Sequence, residues 1–118
     1  MRQTFVHEAA LELVADADEQ APGAAVTVEL CGHWEHLGSC RWPHHTAIPE
    51  HSGQSVTIRT LFACDAAEEQ AVRQRITQAL GRGRLDGPTG SSRWSVRAEA
   101  VAALRPAEQS LAQRLARS

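Results

Sequence analysis

The sequence predicts a small α+β domain: a three-stranded sheet with helices packed on one face, in the order α-β-β-α-β-α. Three observations carry that expectation. Apolar residues recur at three- and four-residue spacing over 4–19 and 66–80, and they alternate over 24–34, 55–64 and 93–103. No internal repeat or linker divides the chain, so residues 1–118 are read as a single domain. With 42% hydrophobic and 22% charged residues, its 118 residues suffice for one buried core and are unlike a disordered chain.

Thr4 is placed as the N-cap of the first helix, which Val6, Ala10, Leu13, Val14 and Ala17 make amphipathic. Pro22-Gly23 ends it. Residues 24–34 read as a half-buried strand, with Val26, Val28 and Leu30 on one side and Thr27, Glu29, Cys31 and His33 on the other. Residues 35–54 lack a regular period and contain Gly38, Pro43, Pro49 and Gly53, so a long loop is expected. Alternation resumes through Val56, Ile58, Thr60, Phe62 and Cys64, a second strand with Cys64 on the core side.

Asp65 and Glu68 have the spacing of a capping box, which opens a helix over 66–80. It buries Val72, Ile76, Ala79 and Leu80, stops at Gly81, and carries Glu69 and Arg73 as an i,i+4 pair. Residues 81–92 are expected as a flexible loop. A third strand follows over 93–103, with Trp94, Val96, Ala98 and Ala100 on one side. Pro106 starts a last short helix anchored by Leu104, Leu111 and Leu115. This order is similar to the BolA-like and type II KH-like α+β folds, a likeness of architecture that implies no activity.

Charge is divided unevenly along the chain. Residues 1–72 hold three arginines and eleven acids, a net of −8; residues 73–118 hold nine arginines and three acids, a net of +6. Two readings follow: the halves neutralise each other across the folded surface, or the arginine-rich C-terminal half faces an anion such as RNA or DNA. Five acids among the first twenty residues exclude an apolar signal core, and no run approaches the ~18 apolar residues of a membrane span. The expectation is a soluble, cytoplasmic protein with no membrane partner. In a reducing compartment its three cysteines favour metal or thiol chemistry over a structural disulfide.

The densest chemical signal lies between the first two predicted strands. Cys31, His33, His36, Cys40, His44, His45 and His51 fall within 21 residues, which leaves only His7 outside. Thiolate and imidazole are the donors that zinc selects, and a bound ion would offset the entropy of ordering a long loop. The candidate metal ligands are Cys31, His33, His36, Cys40, His44 and His45. A four-coordinate zinc set of Cys31, Cys40, His44 and one of His33 or His36 fits best. Adjacent His44 and His45 project apart in extended chain, so one ligates while the other turns to solvent or supports the site. Trp34 and Trp42 are placed to wall the site, and Glu35 to orient an imidazole or act as a base.

Competing readings are an adventitious histidine patch, a pH-responsive cluster, and a redox pair formed by Cys31 and Cys40. His7 is expected as a solvated first-turn residue and Cys64 as a core thiol. His33-Trp34-Glu35 has the H-x-E spacing of zinc nucleobase deaminases, but the P-C-x2-C pair those enzymes need is missing. The function expected is therefore a small metal-binding domain with a structural or regulatory zinc site rather than an enzyme. The alternatives are a nucleic-acid or anion-binding module and a zinc-dependent enzyme with Glu35 or Glu50 as base. A further protein or small-molecule partner is not identified by the residues.

Overall fold

The computed structural model describes residues 2–31, 41–88 and 90–118. These residues form β1 (Arg2–Leu13), α1 (Ala21–Cys31), β2 (His44–Ser52), β3 (Ser55–Asp65), α2 (Glu69–Gly81), β4 (Arg84–Gly87), β5 (Gly90–Ala102) and α3 (Gln109–Arg117). Single 3-10 turns at Ala66–Glu68 and Pro106–Glu108 lead into α2 and α3. One five-stranded sheet runs in the order β2-β3-β1-β5-β4, and every neighbouring pair is antiparallel. Without β4 and α3, this is the split-βαβ layout of ferredoxin-like sheets. The expected three-stranded sheet in the order α-β-β-α-β-α is thereby overturned.

The first two predicted elements exchange identities. Residues 2–13 are the central strand, not a helix. Its alternate residues Ala9, Leu11 and Leu13 face one core, while Val6 packs on the other side with Leu61, Ala63 and Leu115. A strand covered on both faces carries apolar residues at both parities, which imitates helical spacing. Residues 21–31 are a helix, not a strand. Ala21, Ala25, Val26 and Leu30 form its buried stripe, and Pro22 sits in its first turn, where no intrahelical N–H is needed. The Asp18 carboxylate accepts the Gln20 N–H at 2.9 Å ahead of that turn. Pro22-Gly23 therefore opens a helix instead of closing one. A Cβ on Gly23 would lie 3.0 Å from Thr46 Oγ1, so the glycine lets α1 lie close on β2.

The later elements follow the expected order with corrected edges. The last part of the predicted 35–54 loop is β2, joined to β3 through Gly53 at φ +60. The strand over 55–64 and the helix over 66–80 both form, but the Asp65 side chain makes no cap hydrogen bond. The expected loop over 81–92 contains β4 and the start of β5, which pair as a hairpin. In β5 the register against β1 slips at Arg97, since Ala10 faces Ala98 while Leu11 faces Val96. That bulge sends Trp94 and Val96 into the helix-covered core and Ala98 and Ala100 to the opposite face, so the four residues do not share a side.

Helices also occupy both faces, against the single helical layer expected. α1 and α2 cover one side around Phe62, Leu11, Ile58, Ile76 and Leu80. α3 covers one end of the other, where Thr4 Oγ1 donates to the Ala112 carbonyl at 2.7 Å. Arg59, 2% exposed, reaches from β3 to Glu8, to Glu108 and to the Ala103 carbonyl, and so ties the C-terminal segment to the sheet. These carboxylates hold the guanidinium charged and raise its pKa further, Glu108 most, against the cost of burial.

Candidate functional site

The site begins with a helix end and a strand start. Thr27 and Cys31 are four residues apart on α1, so they share one helix face, and β2 begins beneath that face at His44. His44 Nε2 lies 3.0 Å from Thr27 Oγ1, and its Nδ1 lies 3.1 Å from the Trp42 carbonyl and 3.7 Å from Cys31 Sγ. A carbonyl only accepts, so Nδ1 carries the proton and Nε2 accepts from the Thr27 hydroxyl. Cys31 is disulfide-bonded. The structure thus brings together two of the six predicted ligands, Cys31 and His44, through a helix instead of the strand face expected to pair Cys31 with His33.

The other predicted residues distribute differently. His33, His36 and Cys40, with Trp34 and Glu35, lie outside the described residues. His45 is exposed on the opposite face of β2, as neighbours in a strand must be. His51, also exposed, contacts Glu19 through Nδ1 and the Gly53 carbonyl through Nε2. Trp42 is 4% exposed, with the guanidinium groups of Arg41 and Arg75 4.4 and 5.0 Å from its ring. Glu50 stands near the far end of β2, beyond a bulge at Ile48-Pro49, and pairs in register with Thr57. It lines a groove on the sheet face away from His44, which rules it out as a base at a His44 site.

His7 was expected in solvent and is 7% exposed. Its Nε2 donates to Glu99 Oε1 at 2.9 Å, and Arg73 Nη1 lies 3.2 Å from its Nδ1. Because arginine only donates, Nδ1 must accept, and Nε2 carries the proton. Arg73 also donates to the Val6 carbonyl and to Glu69, while Thr77 donates to Glu99. The i,i+4 pair Glu69–Arg73 is therefore part of a buried polar cluster. Strand periodicity, which places His7 between Phe5 and Ala9, was the signal that could have found it.

The arginines of the C-terminal half are partly spent within the fold. Arg82 pairs with Glu29 at 3.0 Å, Arg84 with Asp86 at 2.9 Å, and Arg105 approaches Glu8 at 3.8 Å. Ser91 and Arg84 hold the Asp86 carboxyl below its usual range. Among the described residues, no group of three or more His, Cys, Asp or Glu side chains is disposed to hold a metal ion, and no helix is long and apolar enough to cross a membrane. The chain matches no protein-family model, no curated protein and no solved structure.

Proposed function

We propose that this chain is a small zinc-binding domain in which Cys31 and His44 supply two of the ligands. One distance carries the reading. A zinc ion with a thiolate at ~2.3 Å and an imidazole at ~2.0–2.1 Å, at the tetrahedral angle, separates sulfur from nitrogen by about 3.6 Å. Cys31 Sγ and His44 Nδ1 are 3.7 Å apart. Zinc on Nδ1 would displace that nitrogen's bond to the Trp42 carbonyl, and the neutral ring would then carry its proton on Nε2 and donate it in a hydrogen bond to Thr27 Oγ1. Thr27 then orients the imidazole from behind, as partners of metal-bound histidines do. The remaining donors come from the connector that holds His33, His36 and Cys40.

Only the thiolate binds zinc, so the reduced protein is the binding form and the Cys31 disulfide the metal-free one. A dithiol reductant interconverts them: it is oxidised to its own disulfide while the two protein sulfurs take up its two electrons and two protons. The role is structural or regulatory. The test is elemental analysis of untagged protein equilibrated with zinc in excess dithiol and then desalted. Stoichiometric zinc is expected in the wild type and in His45→Ala, with at least tenfold weaker binding in Cys31→Ser and His44→Ala. Zinc absent from the reduced wild type, or undiminished in both variants, refutes the proposal.

A further inference from the structure

On the sheet face not covered by α1 and α2, two β-bulges stand on either side of one floor. The Ile48-Pro49 bulge of β2 precedes Glu50, and the β5 bulge is at Arg97 itself. Between them, β1 and β3 present Ala10 opposite Thr57. The space above this floor is a groove of about 610 Å³, lined by both Glu50 and Arg97, and a second hollow of about 200 Å³ continues past Ala98 and Ala100. The larger volume lies within the usual ~300–1,000 Å³ of small-molecule sites. Small floor residues leave it open, and bulges are the device by which sheets re-aim side chains beside binding sites.

Most charges that line the two hollows are committed elsewhere. Glu8 is taken by Arg59 and Arg105, Glu12 by Ser55, Glu99 by His7 and Thr77, and His51 by Glu19. Glu50 and Arg97 are the exceptions: neither has a hydrogen bond or ion pair among the described residues. An acid and a guanidinium thus face one groove from opposite sides with their binding capacity unspent. Had they met each other, they would form an ordinary surface ion pair. Instead β3 and β1 lie between their strands, which sets the two backbones about 14 Å apart at ~4.8 Å per strand.

We propose that this groove binds a short zwitterionic peptide, with its amino group on Glu50 and its carboxylate on Arg97. Arginine's planar fork suits a carboxylate, and a two-residue peptide extends about 7 Å. The inward reach of the two side chains closes the rest of the span. This site is independent of the zinc reading, since it occupies the opposite face of the sheet.

The experiment titrates 15N-labelled protein with the dipeptide Ala-Ala and follows amide resonances. Saturable shifts are expected at Ala10, Thr57 and Ala98, unchanged by a metal chelator. Glu50→Gln and Arg97→Gln should each weaken binding at least tenfold, whereas Arg93→Gln, outside the groove, should leave it unaltered. N-acetyl-Ala-Ala should bind Glu50→Gln and wild type equally, because the amine that Glu50 recognises is gone. Ala-Ala amide should likewise not distinguish Arg97→Gln from wild type. Resonances that do not move, or that move alike in wild type and both groove variants, overturn the assignment. Both side chains are exposed, so neither substitution threatens the fold, and an unchanged spectrum of the free variants verifies that.

Discussion

Arg59 Nε donates to Glu108 Oε2, and Arg59 Nη2 donates to Glu108 Oε1, each at 2.7 Å. The two residues are 49 positions apart in the chain. This two-pronged contact joins the middle of β3 to the turn that launches α3. It also fixes where the last helix meets Val6, Leu61 and Ala63.

That contact makes the fold acid-sensitive. Arg59 chiefly, then the Arg105 backbone N–H, hold the Glu108 carboxyl at about 2 from an ordinary 4.5, against the opposing cost of burial. A depressed pKa stabilises the fold fully above the unfolded value and progressively less as pH falls from about 4.5 towards 2. The loss across that window is on the order of 3 kcal/mol. Urea midpoints measured between pH 6 and pH 2 should show it. In Glu108→Gln the same series should flatten, starting about 3 kcal/mol lower because Arg59 loses a buried partner.

Gly83 provides a backbone test. Its φ is +65, a Cβ there would stand 2.7 Å from the Trp94 carbonyl oxygen, and Trp94 N–H donates to the Gly83 carbonyl at 3.0 Å. Neither backbone can yield without opening the turn that starts the β4–β5 hairpin. Gly83→Ala should cost about 2–4 kcal/mol, combining left-handed strain with the clash. Gly53, at φ +60 with nothing within 4 Å of the added atom, is the control. Gly53→Asn should lose less than about 1 kcal/mol in the same denaturation assay.

Cys64 should be silent towards thiol reagents until the protein unfolds. It is 1% exposed, and burial above all, followed by Glu68, Glu69 and Asp65, pushes its thiol up to about 11. At pH 8 only about one molecule in a thousand then carries the thiolate. Disulfide-exchange labelling of a Cys31→Ser, Cys40→Ser variant should proceed at least a hundredfold faster in urea than in native buffer. A rapid native reaction would show that β3 opens locally.

The period of 66–80 identified α2, and alternation of Val56, Ile58, Phe62 and Cys64 identified β3, even though Leu61 and Ala63 are buried on its other face. The misreadings have a common physical origin. β1 is apolar on both sides, so Val6, Ala10 and Leu13 match a helical period by accident. In α1, the β-branched Val26 and Val28 alternate with polar residues and hide the i,i+4 relation of Ala21 with Ala25 and of Val26 with Leu30. At the candidate site, residue chemistry drew attention to Cys31 and His44, but their meeting depends on α1 crossing β2, a tertiary fact. The sequence offered Glu50 only as a possible base, and its placement with Arg97 on one groove left no mark, because a bulge is a mismatch between two strands and one strand alone does not reveal it.

The register of β1 has a consequence for how the molecule is made. This strand precedes both of its neighbours, which span residues 55–65 and 90–102. During translation both partners are therefore made well after it. Until then Val6, Leu11 and Leu13 stay without their full cover, and one flank of exposed peptide groups remains available to any passing extended chain. Nonlocal pairing of this kind slows folding, because the cost of closing the intervening chain comes before the contacts that repay it.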